Sequence, residues 1–109
     1  MKRYDIHWAC LDPVIGAEMA KTRPVVIVSL DVLNANLQTV TICPVTSQLH
    51  PGWRSRLRVR CVGRPAEIAV DQIRTVSKAR LGERIGALSP SESASLRRLI
   101  AEMYCGGDD

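Results

Sequence analysis

The run Arg23-Pro24-Val25-Val26-Ile27-Val28-Ser29 places one charge at the mouth of an otherwise apolar strand. Pro24 fixes φ where a strand begins and where its missing N–H costs least. The four branched residues that follow describe a strand buried on both faces. Arg23 closes a polar, glycine-containing loop over residues 12–22. Its guanidinium stays charged, and its planar fork matches a phosphate. Two readings stand: a phosphate-handling site, or an ordinary arginine at a strand edge. From this segment alone the second is the simpler.

Upstream, residues 6–11 read as a first strand, ended by Asp12-Pro13. Downstream, residues 29–36 form a short helix with Ser29 as N-cap. The β-branched run Thr39-Val40-Thr41-Ile42-Cys43 is a strand that Pro44 halts. Residues 45–48 then lead into a loop carrying His50-Pro51-Gly52-Trp53. Residues 55–62 alternate, with Leu57, Val59 and Cys61 on one face and Arg56, Arg58 and Arg60 on the other. That pattern predicts a half-buried antiparallel strand whose arginines point outward to solvent or a protein partner. Gly63-Arg64-Pro65 is read as a turn, followed by short strands at 67–70, 72–77 and 83–88.

The C-terminal segment is helical. Ser89 at N-cap, Pro90 at N1 and Glu92 at N3 make a capping box. Leu96, Leu99, Ile100 and Met103 recur at helical spacing as one apolar stripe, and Gly106 supplies a stop. Many short strands with a terminal helix describe a small, strongly bent sheet or barrel.

At 109 residues, 46% of them apolar, the chain has room for one core. A single domain over residues 1–105 with a flexible tail at 106–109 is expected. No apolar run approaches the roughly 20 residues of a membrane span, and residues 1–5 lack the core of a signal peptide. The four cysteines show neither C-x-x-C pairing nor metal-ligand spacing, and three lie in apolar strand patterns. A reduced, cytoplasmic protein without metal or cofactor is the natural reading. The net charge is +4, and arginine far outnumbers lysine. Planar, bidentate contacts to phosphate or carboxylate are thereby favoured, which suits nucleic acid and an acidic protein partner alike.

Without a metal cluster the chain has few ways to break a bond. His7 lies within a strand and reads as structural; His50 reads as a solvated loop residue within reach of a ligand. No G-x-G-x-x-G, P-loop or G-x-S-x-G pattern is present. The remaining polar candidates gather after strand ends: Glu18, Arg23, Thr46-Ser47-Gln48 and Asp71-Gln72. Singly, each has a bland reading in turn chemistry or solvation. Together they suit RNA cleavage through the 2′-hydroxyl. That reaction needs a base, a cation against the pentavalent phosphorus and a donor for the leaving oxygen, but no metal.

Ile6-His7-Trp8 with Leu11-Asp12-Pro13, Gly16-Ala17-Glu18 and Lys21-Thr22-Arg23-Pro24-Val25-Val26-Ile27-Val28-Ser29 resembles the opening of the MazF/PemK (Kid) toxins. The resemblance continues through Pro44-Val45-Thr46-Ser47-Gln48 and the run from Asp71-Gln72-Ile73-Arg74 to Leu81, in the family's order and across nearly the whole chain. It implies an SH3-like β-barrel with added helices, the MazF/CcdB-type toxin fold, and a homodimer. It also implies sequence-specific, metal-independent cleavage of single-stranded RNA to a 2′,3′-cyclic phosphate and a 5′-OH. A cognate MazE-like antitoxin with an acidic tail is the implied partner. Carried over, Arg23 matches the catalytic arginine, Thr46 the catalytic threonine and Glu18 a loop glutamate proposed as base. Ser47, Gln48, Asp71 and Gln72 match groove positions. Within such a groove Arg54 and Arg56 would meet phosphates, and Trp53 would stack on a base or pack under its own loop.

The chain departs from the family pattern at four places. Tyr4 stands where a glycine usually precedes the first strand's aspartate. Cys10 replaces an acidic or polar residue, Met19 a frequent glutamine, and Ala69 an arginine that some members use in catalysis. The alternatives are a CcdB-like toxin that poisons DNA gyrase, disfavoured by the ending Tyr104-Cys105-Gly106-Gly107-Asp108-Asp109, and an RNA-binding member that does not cleave. Presence of both Arg23 and Thr46 counts against the latter.

Overall fold

A computed structural model describes residues 1–13 and 15–106; the flexible-tail expectation for 107–109 lies outside the described residues. Among the described residues seven strands form one antiparallel sheet: β1 (Asp5–Cys10), β2 (Thr22–Ile27), β3 (Thr39–Thr46), β4 (Arg56–Cys61), β5 (Arg64–Ala69), β6 (Arg74–Ser77) and β7 (Leu81–Ala87). The spatial order is β4-β5-β3-β2-β1-β7, with β6 paired to β3. Helix α1 (Asp31–Asn36) joins β2 to β3. Helix α2 (Pro90–Ile100) follows β7 and is extended by a π-helical turn, Ala101–Cys105. The sheet curls into a half-barrel, with β4 and β7 at its two ends.

Alternation along β2 explains why its apolar run is unbroken. Val26 and Val28 join Ile6, Cys43, Val45, Val59 and Ile68 in the cluster that α2 covers through the fully buried Leu96. Val25 and Ile27 point the other way, into a second cluster with Ala9, Leu11, Val40, Ile42 and Val76. Full burial of such side chains contributes about 1.5–3 kcal/mol each, so both faces anchor the strand that carries Arg23. On β4 the inward set is Val59, with Leu57 and Cys61 packed beside it, as the alternation predicts. The capping box at Ser89 and Glu92 is formed, and Leu99, Ile100 and Met103 pack on the first cluster.

Several local expectations are corrected. Pro44 does not halt β3, which runs on to Thr46. One edge of β3 pairs with β6 as far as Ile42 and with β5 from Val45 onward. Pro44 lies at that change of partner, where a missing N–H is tolerated. Ser29 does not cap α1; Leu30 holds that position without a side-chain hydrogen bond. The Ser29 hydroxyl donates to Asn34 Oδ1 at 2.5 Å and accepts the Thr41 N–H at 3.0 Å, tying α1 to β3. The β4–β5 turn falls at Val62-Gly63, with φ of 52° and 74°, because Cys61 and Arg64 are already paired. Cys10 is exposed at the end of β1. Gly106 ends the last helical turn in extended backbone, φ −78°, and a Cβ there would meet the Glu102 carbonyl oxygen at 3.0 Å.

Tyr4 adopts φ 72°, in the region that favours glycine. A tyrosine here thus holds a conformation that glycine adopts more readily. Its N–H donates to the Ile27 carbonyl at 2.6 Å, and its own carbonyl accepts the Leu88 N–H at 3.0 Å.

Candidate functional site

Antiparallel register assembles the site. Thr46 is opposite Glu67, and Glu67 is opposite Arg58. β2 pairs with β3 as far as Val25↔Pro44, and Arg23 and Thr46 each lie two residues past that pair, at the same end of the two strands. Directly opposed residues share a face of the sheet. One row therefore crosses three strands as Arg58, Glu67 and Thr46, on the face away from the α2 core, and Arg23 lies on that same face of β2, two residues from Val25. Arg56, two residues from Arg58, joins the same face.

Arg23 is held by the loop that precedes it. Its Nε donates to the Ala20 carbonyl at 3.0 Å, and Nη1 lies 3.8 Å from Met19 Sδ. The Met19 N–H donates to Gln72 Oε1 at 3.3 Å, which links this loop to the 3-10 turn Val70–Gln72. Nη2 of Arg23 has no partner among the described residues and is free to meet an anion. Glu18 is exposed, and its carboxylate accepts the Ile15 N–H at 2.8 Å within the same loop. No hydrogen bond among the described residues brings it to Thr46.

Thr46 is buried, and its hydroxyl accepts the Gln48 N–H at 3.1 Å, which turns the chain out of β3. Ser47 and Gln48 are exposed beyond it. In the following loop the His50 ring stacks on Trp53, with centroids 3.9 Å apart and planes at 14°. Trp53 packs against its own loop in this way, yet half of it remains exposed. Arg54 is 87% exposed and pairs with Glu102 of the π-helical turn.

Arg56 departs from the outward, solvated arginine that alternation predicts. Only 7% of its side chain is exposed. Its Nε donates to Asp71 Oδ1 at 2.9 Å, and Nη1 faces Glu67 Oε1 at 3.5 Å. The guanidinium carbon also lies 4.9 Å from the Trp53 ring centroid. Two carboxylates occupy this cation, so it organises the site rather than offering a free charge to phosphate. Arg58 and Arg60 are exposed, as expected. Glu67 itself escaped the sequence reading, although a lone carboxylate in Ala66-Glu67-Ile68-Ala69-Val70 was a legible signal. A charge inside an apolar run demands a partner.

Electrostatics follow from these contacts. Partial burial alone would raise the Asp71 carboxyl. The hydrogen bond and charge of Arg56, with backbone and Ser55 donors, outweigh that and hold it below the ordinary carboxylate value. Burial, aided by the charge of Asp71, pushes the Cys43 thiol up to about 12. Tyr104 donates to the Val70 carbonyl at 2.7 Å; burial raises its hydroxyl, and Cys43 and Asp71 add to the effect. Among the described residues no group of three His, Cys, Asp or Glu side chains could hold a metal ion. The arrangement offers a fixed guanidinium, a hydroxyl and an aromatic surface along one face.

Comparison with known proteins decides the family. The PemK-like, MazF-like toxins of type II toxin-antitoxin systems match over residues 2–104. The chain belongs to this family. Endoribonuclease EndoA of Bacillus subtilis is 31% identical over 90 residues, which span 78% of each chain. The Mycobacterium tuberculosis toxin MazF-mt6 superposes with a TM-score of 0.79 at 27% identity, over 95% of this chain and 99% of that one. A Deinococcus radiodurans MazE–MazF complex shares the fold, with a TM-score of 0.79 at 19% identity over 98% and 97%. For this toxin the comparisons agree with the curled sheet and terminal helix described above.

Proposed function

We propose that this toxin is a metal-independent endoribonuclease that cuts single-stranded RNA at specific sequences, using the substrate's own 2′-hydroxyl. The 2′-oxygen attacks the adjacent phosphorus, the bond from phosphorus to the 5′-oxygen breaks, and a 2′,3′-cyclic phosphate and a 5′-OH result. Arg23 and the Thr46 hydroxyl stabilise the charge of the pentavalent phosphorane, the largest single contribution in such reactions. An arginine does not deprotonate, so the 2′-proton passes to a carboxylate. Glu18, exposed on the loop that ends at Arg23, is assigned that role. The leaving 5′-oxygen takes its proton from solvent water while Arg23 holds the departing charge, and Glu18 returns the 2′-proton to solvent.

The observation that carries this reading is the common end of β2 and β3. There Arg23 and Thr46 each stand two residues beyond the Val25↔Pro44 pair, in a chain whose relatives include proteins named endoribonucleases. Ser47, Gln48, Asp71 and Gln72 line the approach, Trp53 offers a stacking surface, and Arg54 is the solvated phosphate contact. Arg56 supports these groups through Asp71 and Trp53. The working unit is a homodimer with the RNA groove across its two copies, controlled in the cytoplasm by a cognate MazE-like antitoxin. The gyrase-poisoning alternative draws no support from relatives named endoribonucleases.

The test is incubation with a long, mixed-sequence RNA in excess EDTA, followed by mapping of both cut ends. Cleavage with 2′,3′-cyclic phosphate and 5′-OH termini is expected. Arg23→Ala should lower the rate at least ~100-fold, the scale for removing a charge-stabilising donor. Folded protein that cuts nothing refutes the activity, and undiminished cutting by Arg23→Ala removes Arg23 from the mechanism.

A further inference from the structure

Glu67 is buried, with 4% of its side chain exposed, and its two oxygens serve two different elements. Oε2 accepts the His50 N–H at 2.9 Å, anchoring the loop between β3 and β4. Oε1 faces Arg56, which bonds Asp71 and lies against the Trp53 ring. His50 is itself stacked on that ring. One carboxylate thus reaches both neighbours of Trp53, and it sits beside Thr46 in the cross-strand row. For stability alone, a neutral pair of similar volume would serve as well or better than a buried charge pair. What the charged arrangement adds is direction, because each oxygen has a partner on a different segment.

We propose that Glu67 is a positioning residue that sets the half-exposed Trp53, with His50 stacked on it, in place as a base-stacking surface. This rests on the RNA-cleavage reading above. A ring ordered before binding loses less freedom when a base stacks on it. Stacking on an aromatic side chain tolerates any base, since every base has a π-face. The effect of Glu67 therefore falls on substrate binding, while Arg23 and Thr46 carry the chemical step.

The test uses full-length protein in a Trp8→Phe background, which leaves Trp53 as the single tryptophan. Glu67→Gln keeps the volume and an acceptor for His50 but removes the charge facing Arg56. Acrylamide quenching of Trp53 should rise about twofold. KM for an RNA containing the mapped site should rise about tenfold, with kcat changed less than about threefold. In a Trp53→Ala background Glu67→Gln should add little further to KM. Unchanged quenching, a fall in kcat at constant KM, or a full KM effect without Trp53 overturns the assignment. So does a lowered melting temperature with native quenching and KM. If Glu67→Gln does not fold, Glu67→Asp retains the charge on a shorter stem and should move quenching and KM in the same direction. A parent protein that cuts no RNA removes the cleavage reading and the stacking role with it. The quenching comparison then reports separately whether Glu67 holds the loop.

Discussion

Replacing Arg56 by methionine measures what it costs to strand a buried carboxylate in this fold. The aliphatic stem is retained, so the change is mainly one of charge. Asp71 has 29% of its side chain exposed and can turn to water when its partner leaves. Glu67 has 4% exposed and, among the described residues, keeps only the His50 N–H. Breaking a buried pair from one side costs about 3–5 kcal/mol, against about 0–1 kcal/mol for a surface pair such as Arg54 and Glu102. The larger figure applies here because one of the two stranded charges cannot reach solvent. At about 4–8 °C per kcal/mol for a domain near this size, the melting temperature should fall by roughly 12 °C or more. Urea unfolding followed by circular dichroism measures the loss, at one protein concentration throughout, since a dimer's midpoint moves with concentration. The double variant Arg56→Met with Glu67→Leu should recover most of the deficit, because both charges are gone. A loss below about 1 kcal/mol for Arg56→Met, or a double variant no better than the single, refutes the reasoning.

Two further outcomes concern the turn and the acid limit. Val62 is 69% exposed and holds φ 52°, a conformation that disfavours a β-branched residue. Val62→Asn creates the Asn-Gly pair preferred in two-residue hairpin turns and should stabilise the protein by about 1 kcal/mol; a lower thermal midpoint would contradict the strain. Asp71 is depressed below its ordinary value of 3.8, so its stabilising contribution is present above that pH and disappears as pH falls through the lowered folded value. Asp71→Asn should therefore flatten the loss of stability on acidification below about pH 4, read from urea midpoints over that range. Parallel curves for the two proteins would assign the acid limb to other groups.

Much of the architecture was legible because its signals are local. The alternation at 55–62, the unbroken apolar run at 25–28 and the capping box at Ser89 each need only a few neighbouring residues, and each appears in the structure. Pro44 was misread for the same reason. Proline ends a strand when a partner strand needs its N–H, and the change of partner on that edge of β3 is not visible from within the strand. Arg23 and Thr46 were candidates from their places at strand ends, the family resemblance gave them roles, and both lie just past the last β2–β3 pair. Glu67 was passed over because its local context marks it as anomalous without saying what answers it.

The amino-acid sequence by itself determined where most of the strands lie, the inward set on β4, the start of α2 and the family. Periodicity, capping and motif order are written along the chain. Only the tertiary structure decided which charges meet. Arg56 and Glu67 lie on different strands, Asp71 beyond both, and Trp53 and His50 in a loop between. Antiparallel register and the curl of the sheet bring them together, and burial then makes their pairing obligatory. An arginine that alternation points toward solvent thereby becomes a buried organiser of the candidate site.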